Sequence, residues 1–166
     1  MTTLTRIRLR ELTLADVGRV LELTRATGVF RAEEIGIAEE VVLEAAREDS
    51  ATRADRPYYA LGAEVDNRIV GWICWGATPC TEGTWDLYWL AVDPALHGHG
   101  VGSALVEAME QDLRGKARLI VIDTSGRTDY APTRAFYAAR GYQAVARVTD
   151  FYAHGDDQVI FSKLLK

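Results

Sequence analysis

No apolar stretch in this sequence approaches the roughly 20 residues that a membrane-spanning helix requires. The first residues, Met1–Arg6, also lack the basic start and the apolar run of a secretion signal. Only 14 glycines and 4 prolines occur among 166 residues, which excludes collagen-like and low-complexity chains. These absences predict a cytoplasmic globular protein with no membrane contact, and the length predicts one domain over 1–166.

Cysteine is scarce, and basic residues do not dominate. Cys74 and Cys80 are the only cysteines, and their spacing matches neither a metal-binding pair nor a disulfide framework. Acidic residues outnumber basic ones by 24 to 19, which gives a formal net charge of −5. Because nucleic-acid binding depends on positive charge, this balance argues against a nucleic-acid partner. We also expect no metal site, since His97, His99 and His154 have no further ligand at a diagnostic spacing.

Hydrophobic periodicity predicts strands interleaved with helices. Alternating or continuous apolar residues predict strands at 5–12, 57–65, 68–75, 84–92, 119–123, 142–148 and 158–163. Apolar residues at steps of three and four predict helices between Thr13 and Gly28 and over 33–48, 100–114 and 133–140. Polar residues predict a connector at 49–56 and a hairpin turn at Asp66-Asn67, and the branched run 119–123 predicts a central strand buried on both faces. The order predicts an α/β or α+β fold with a mixed sheet.

The loop that joins the strand 84–92 to the helix 100–114 is the most informative segment. Its sequence, His97-Gly98-His99-Gly100-Val101-Gly102, places glycines directly before an amphipathic helix. Glycines let a ligand approach the backbone, and the free amides of a helix start carry the positive end of the helix dipole. This loop therefore predicts a site for a phosphate or a diphosphate.

Glycine spacing alone does not decide which phosphate compound binds. A triphosphatase loop needs Gly-Lys-Ser/Thr, but Gly102 is followed by Ser103 and no lysine is near. A dinucleotide fingerprint has glycines at its first, third and sixth positions and an acidic residue about 20 positions further on. The glycines of this loop recur at every second residue, which departs from that spacing, whereas Asp123 lies at a suitable distance. A dinucleotide-binding module therefore stays open as an alternative.

Two motifs resemble blocks of the GNAT N-acetyltransferase superfamily. Leu90–Ser103 resembles its acetyl-CoA-binding signature, which is Gln or Arg, two residues, Gly, one residue and then Gly or Ala, after a strand and an Asp-Pro turn. Thr133–Tyr142 resembles the later FYxxxGF block of the family. The resemblance extends over essentially the whole element order. It implies a central mixed, mostly antiparallel sheet of about seven strands with about four flanking helices, and acetyl-CoA as the cosubstrate.

The resemblance also implies which residues bind acetyl-CoA. They are Leu90, Ala91, Val92, His97, Gly98, His99, Gly100, Val101, Gly102, Ser103 and Thr133. The strand end would pair with the pantetheine arm, and a backbone N–H near Leu90 would polarise the thioester carbonyl, which can contribute about 3 kcal/mol. His97 stands where Arg or Gln is usual, and Tyr130 where many members have Asn. Arg127 and Arg134 either reach the phosphates or lie on the surface.

Two side chains are candidates for proton transfer. Tyr137 matches the usual general acid of the family, and a phenol with a pKa near 10 can protonate a thiolate whose pKa is about 8.5. Simple packing of a helix aromatic is the alternative. An alkylamine with a pKa of about 10.4 must lose a proton before it attacks. Strand alternation places Asp86 on the face of Tyr88 and Leu90, so Asp86 is the first candidate base, with Asp123 the second and a solvated carboxylate the alternative.

We therefore expect an N-acetyltransferase in which a primary amine attacks acetyl-CoA directly. A non-catalytic acyl-CoA sensor is the alternative. The acceptor is a small-molecule amine, a protein N-terminus or a lysine, and the acidic segment 150–157 with Glu82 and Asp86 would favour a cationic amine if these groups converge. A homodimer is possible, because sheet edges of small domains often pair.

Overall fold

The computed structural model describes residues 6–47 and 56–166. The predicted connector 49–56 lies outside the described residues except for Arg56. Thr5, where a strand is predicted to begin, and Glu48, where a helix is predicted to end, also lie outside them. No helix within the two described ranges combines the length and the hydropathy needed to cross a bilayer.

The described part of the chain contains seven strands and four α-helices. The strands are β1 Arg8–Glu11, β2 Tyr59–Val65, β3 Arg68–Ala77, β4 Thr84–Val92, β5 Leu119–Ser125, β6 Gln143–Ala153 and β7 Asp156–Leu164. The helices are α1 Val17–Ala26, α2 Ala32–Ala45, α3 Val101–Leu113 and α4 Ala131–Ala139. The strands form one sheet in the order β1-β2-β3-β4-β5-β7-β6. This confirms the predicted fold class.

The sheet is mixed and mostly antiparallel. β4 and β5 pair in parallel, whereas β1 with β2, β2 with β3, β5 with β7, and β6 with β7 pair antiparallel. The ladder between β4 and β5 covers Thr84–Leu87, although β4 continues to Val92. The predicted hairpin turn is confirmed, because Asp66 and Asn67 have φ of 49° and 61°, as a two-residue turn with left-handed backbone requires.

The chain divides into two compact units. The first takes the described residues up to Gly76 together with Trp89–Asp112, and the second takes Ala77–Tyr88 and Leu113–Lys166. The prediction that 1–166 form a single domain stays a prediction. Each unit is therefore described by itself.

The first unit is built around an apolar core between α1, α2 and the strands. Its most buried members, all fully shielded from solvent, are Val20, Leu23, Ala38, Val42, Trp72 and Cys74. The indole N–H of Trp72 donates to Thr24 Oγ1 at 2.9 Å, which satisfies the polar atom inside the core. Trp89 stacks on Trp72 with ring centroids 6.1 Å apart. The core therefore packs against β4 at Trp89, one residue before Leu90.

In the second unit, the prediction for β5 is only half correct. β5 is central, since it lies between β4 and β7, but it is not buried on both faces. Ile120 and Ile122 are buried, whereas Val121 is half-buried and Asp123 is exposed. Ile122 pairs with Phe161 of β7, whose ring packs against Tyr137 of α4. The apolar face of β5 is the one that α4 covers, and the acidic side chain lies on the opposite face.

The last two strands are longer than predicted. β6 extends to Ala153 and β7 begins at Asp156, so most of the segment expected to be an acidic loop is strand. Asp150 accounts for the error, because its backbone is left-handed with φ 53° and its Oδ1 accepts a hydrogen bond from the Gly155 amide at 2.8 Å. An acidic residue there closes the hairpin instead of ending the strand.

Candidate active site

The loop between β4 and α3 begins with a carboxylate that organises its own backbone. The Asp93 amide donates to Val70 O of β3 at 2.8 Å, and Asp93 Oδ1 accepts from the Ala95 amide at 3.0 Å. Pro94–Leu96 then forms one 3-10 turn. His97 Nε2 lies 2.9 Å from Val92 O, which ties the end of this turn back to the strand. The first half of the loop is therefore fixed by hydrogen bonds.

The second half of the loop is open and uses the freedom of glycine. Gly98 and Gly100 have φ of 77° and 83°, which disfavours any other residue. A Cβ built on either glycine would meet nothing within 4 Å, so the requirement is torsional and the space above the loop is free. The Ala104 amide donates to Gly100 O at 3.0 Å. Since a helix cannot pair its own first amides, those of Val101 and Gly102 remain for an anion.

All the residues of 90–103 that are predicted to bind acetyl-CoA lie in the first unit, at the end of β4, in the following loop and at the start of α3. His97, Gly98, His99 and Gly100 are exposed, and Leu90, Val92, Gly102 and Ser103 are half-buried. The side chains of Ala91 and Val101 are buried, at 3% and 2% exposure, so these two residues offer their backbone alone. Thr133 lies in the first turn of α4, in the second unit, and is half-buried.

Two carboxylates share one face of the second unit. Asp86 pairs in register with Val121, so Asp123 lies two residues further along β5 on the same face. Thr78 Oγ1 donates to Asp86 Oδ2 at 2.7 Å, and the Tyr88 hydroxyl lies 3.5 Å from the same oxygen. Although much of the Asp123 surface is exposed, neighbouring groups exclude part of the water around its carboxylate, and this desolvation, with the nearby Asp86 charge, raises the pKa of Asp123, while a hydrogen bond from Gln158 opposes the rise. Asp123, the second candidate from the sequence, thus binds a proton more readily than an ordinary aspartate.

Tyr137 is more deeply buried than a helix-surface aromatic would be. Its side chain is 4% exposed, and its ring lies among those of Phe136, Tyr142 and Phe161 at centroid distances of 5.4, 5.9 and 6.3 Å. Burial raises the pKa of Tyr137 well above its ordinary value, so the phenol keeps its proton at neutral pH. The residue has the protonation state of a general acid, and it also packs as a member of the aromatic cluster.

Arg127 and Arg134, two candidates for phosphate binding, form hydrogen bonds and ion pairs within the protein. Arg134 Nη1 donates to Ser125 O at 2.7 Å and to Arg127 O at 2.8 Å. The Arg127 guanidinium lies 3.1 Å from Asp129 and 3.6 Å from Asp156. Neither guanidinium is therefore a simple surface charge, and Arg134 holds the turn that precedes α4.

The acids of 150–157 are likewise engaged in contacts within the second unit. Asp156 is 4% exposed and accepts a hydrogen bond from Ser125 Oγ. Asp157 forms an ion pair with Arg147 at 2.6 Å and accepts a hydrogen bond from the Asp150 amide. This hydrogen bond and the ion pair lower the pKa of Asp157. These contacts tie the β6–β7 hairpin to itself and to the end of β5.

Sequence analysis missed one residue that contacts the loop between β4 and α3, here called the donor loop because the sequence predicts that it binds the acetyl donor. Arg19 of α1 donates through Nε to Ile69 O at 3.0 Å and through Nη2 to Asp93 Oδ2 at 2.5 Å. Its position on the polar side of an amphipathic helix predicts a solvated side chain, yet the side chain is 17% exposed. Periodicity contains no signal for a partner so distant in the sequence.

The metal hypothesis finds no support in the geometry. Within 6–47 and 56–166, no group of three or more His, Cys, Asp or Glu side chains is arranged to hold a metal ion. His97 and His99 each have a ring nitrogen close to a backbone carbonyl, that of Val92 and that of His97 respectively. That the protein uses no metal stays a prediction.

Comparison with known proteins identifies the class. Residues 26–142 match the model of the Acetyltransferase (GNAT) family. The match covers most of the chain, and the protein belongs to this acetyltransferase family, as the two sequence motifs predict.

Individual relatives agree with this family. A crystal structure of a GNAT-family protein from Desulfovibrio desulfuricans is 37% identical, with a TM-score of 0.87 over 96% of this chain and 99% of that one. An uncharacterised N-acetyltransferase of Methanocaldococcus jannaschii is 30% identical over 101 residues, which are 61% of this chain and 63% of that protein. The PaiA N-acetyltransferase of Thermoplasma acidophilum, crystallised with coenzyme A, shares the fold at 16% identity and a TM-score of 0.73, over 96% and 99% of the two chains.

Proposed function

We propose that the protein transfers an acetyl group from acetyl-CoA to a primary amine by direct attack. The observation that carries this proposal is the loop between β4 and α3. Gly98 and Gly100 adopt left-handed backbone there, no Cβ would obstruct the space above them, and the first amides of α3 follow directly. Within a family of acetyltransferases, such a loop fits the diphosphate of coenzyme A.

The donor would be held mainly by backbone groups. The amides of the helix start would meet the diphosphate with the positive end of the helix dipole. The ladder between β4 and β5 ends at Leu87, so the edge of β4 over Leu90–Val92 would pair with the amides of the pantetheine arm in the manner of an added strand. A backbone N–H near Leu90 would polarise the thioester carbonyl as negative charge develops on its oxygen.

The acceptor must be neutral when it attacks. Its ammonium group must therefore lose a proton, and we assign the removal of this proton to Asp86 and Asp123, which share one face and interact through their charges. A carboxylate with a raised pKa accepts a proton more readily, directly or through a water molecule, which favours Asp123 as the acceptor and Asp86 as the charge that tunes it. The nitrogen then attacks the thioester carbon, and no covalent acyl-enzyme forms.

The departing sulfur needs a proton, and Tyr137 is assigned to supply it. Its phenol is protonated at neutral pH, as a tyrosine with the ordinary pKa also is, and because burial raises its pKa it gives up the proton only as negative charge develops on the sulfur. The coenzyme A thiolate would accept this proton as the carbon–sulfur bond breaks, and the nitrogen of the tetrahedral adduct would lose its second proton to restore the phenol, directly or through water. The first proton, taken from the ammonium group by the carboxylate, would leave to solvent. The acceptor is a small-molecule amine, a protein N-terminus or a lysine side chain.

The test is acetyl transfer by the purified chain. Release of free thiol from acetyl-CoA would be measured with diamines, amino acids, aminoglycosides and N-terminal peptides as acceptors, with the acetylated product confirmed by mass. We expect release that depends on one class of amine. Tight binding of coenzyme A without transfer to any amine would replace this proposal with an acyl-CoA sensor. Thermal stabilisation by NAD and not by coenzyme A would point to a dinucleotide-binding module.

A further inference from the structure

Arg19 connects three parts of the first unit at the point where the donor loop begins. Its guanidinium donates to Ile69 O of β3 at 3.0 Å, to Asp93 Oδ2 at the end of β4 at 2.5 Å, and to Glu22 Oε2 on α1 at 2.9 Å. The Arg19 side chain is 17% exposed and the Asp93 side chain is 23% exposed. We call these three hydrogen bonds from the Arg19 guanidinium the Arg19 fork. Such partly buried, charge-assisted hydrogen bonds are stronger and more directional than a surface ion pair.

Asp93 uses both of its carboxylate oxygens in fixing the loop. Oδ1 accepts from the Ala95 amide and so forms the turn Pro94–Leu96, while Oδ2 is held by Arg19. The hydrogen bond from the Ala95 amide lowers the pKa of Asp93, and the positive charges of Arg19 and Arg68 lower it further, so the carboxylate is ionised. A negative charge thus lies in the same loop that is expected to receive a diphosphate.

This arrangement has two consequences for anion binding. The fork to Arg19 keeps the turn in one conformation, so the loop amides need little ordering when a ligand arrives. It also compensates the Asp93 charge, which would otherwise repel a diphosphate at the glycines a few residues further on. Removing Arg19 would loosen the turn and uncover that charge together.

We propose that Arg19 is a positioning residue of the donor site, which holds Asp93 and thereby sets the affinity of the loop for the diphosphate of coenzyme A. The inference rests on the proposed function, since it requires coenzyme A at this loop. It adds a residue outside both sequence motifs to the binding machinery. It also confines the effect of Arg19 to ligands that carry a diphosphate.

The test compares two donors and two arginines. S-acetylpantetheine has the thioester and the pantetheine arm of acetyl-CoA but no diphosphate. Arg25 is the matched control, because it lies on the same helix as Arg19, is exposed, and has no part in the fork. Arg19→Met and Arg25→Met would be measured for the Kd of coenzyme A, for KM and kcat with acetyl-CoA, for kcat/KM with S-acetylpantetheine, and for Tm.

Arg19→Met is expected to raise the Kd of coenzyme A and the KM of acetyl-CoA about tenfold, with kcat within about twofold of wild type. Its kcat/KM with S-acetylpantetheine is expected to match wild type, and Arg25→Met is expected to match wild type throughout. An Arg19→Met protein that binds coenzyme A as wild type does, or that loses both donors equally, would overturn the proposal.

A second variant separates loss of the fork from the uncovered charge. In an Arg19→Met/Asp93→Asn double variant, the new side chain at position 93 keeps an oxygen for the Ala95 amide but has no charge. The double variant should bind coenzyme A within about threefold of wild type, better than Arg19→Met alone. If Arg19→Met fails to fold, Arg19→Lys carries the same test, because lysine keeps the charge but cannot form the fork. Wild-type binding of coenzyme A without any acetyl transfer would contradict the proposed function while leaving the binding arm of this test intact.

Discussion

The donor loop of the first unit and the acidic strand face of the second unit are built from different parts of the chain. The loop offers backbone amides, and its requirement is the left-handed torsion of Gly98 and Gly100. The strand face offers the side chains of Asp86 and Asp123, and its requirement is their environment, which raises the pKa of Asp123. A backbone site tolerates changes of those side chains that do not hold its backbone in place, but it does not tolerate changes of torsion, whereas a side-chain site depends on each atom and each neighbouring charge.

The largest effect should come from removing one side-chain atom in the second unit, whose proposed contribution depends on side chains. Tyr137→Phe deletes the phenol oxygen and keeps a ring that fits the aromatic cluster. We expect kcat to fall about a hundredfold, because general-acid catalysis is lost, while the Kd of coenzyme A stays within about twofold. Stopped-flow thiol release and calorimetric titration would measure the two quantities.

Tyr142→Phe is the matched control for that change. Tyr142 is 2% exposed and its ring contacts Tyr137 at 5.9 Å, so both variants remove a hydroxyl from the same cluster. Turnover of Tyr142→Phe should be close to wild type. Equal losses in both variants would mean that Tyr137 acts through packing alone.

The next largest effect concerns the pH dependence of the base. Asp123→Asn should lower kcat/KM some tenfold to thirtyfold at pH 7. In wild type, kcat/KM should fall as pH drops through the raised pKa of Asp123, since the carboxylate must be ionised to accept a proton. Asp86→Asn removes the charge that helps to raise this pKa, so the acidic limb should move to lower pH. A limb unmoved by Asp86→Asn would contradict the assigned coupling.

A backbone change should act on binding and not on chemistry. Gly100→Ala introduces a Cβ at φ 83°, where it meets no neighbour, so the expected cost is torsional strain of about 1 kcal/mol and about a fivefold weaker Kd for coenzyme A. Gly18→Ala is the control in the same unit, because Gly18 is helical and its added Cβ also has free space. The control should raise Tm slightly. A larger loss of kcat than of affinity in Gly100→Ala would contradict the assignment of this loop to binding alone.

The smallest effect should come from a side chain of the backbone site. His97→Gln restores a residue type that is usual in the family signature, and the loop amides are untouched. The Kd of coenzyme A should change by less than about threefold, measured by calorimetry. A change of tenfold or more would mean that the side chain at position 97 itself takes part in binding coenzyme A.

The sequence predicts the local features of this protein better than the distant ones. The glycine loop, the hairpin at Asp66-Asn67 and the amphipathic helices are all visible within short windows, because torsion and periodicity are local properties. The contact between Arg19 and Asp93 joins residues separated by 74 positions, and no local pattern encodes it. The left-handed backbone of Asp150, which lets β6 continue past the predicted end of the strand, is likewise visible only in the structure.

Burial was the least predictable property of the site. The branched run in β5 predicts apolar cover on both sides, but the alternating exposure depends on where α4 lies. Tyr137 is likewise placed by Phe161 and Tyr142, which come from other elements of the second unit. The sequence names Tyr137 and Asp123 as candidates for proton transfer, but the direction in which the pKa of each is shifted depends on the packed structure.

The stacked indoles of Trp72 and Trp89 provide a built-in optical reporter. Trp89 directly precedes Leu90, and its ring also lies 5.0 Å from that of Phe30. Indole emission responds to small changes in its surroundings, so occupancy of the neighbouring strand edge should alter the intrinsic fluorescence of the unlabelled protein. Ligand titrations could then be followed without a dye or a coupled assay.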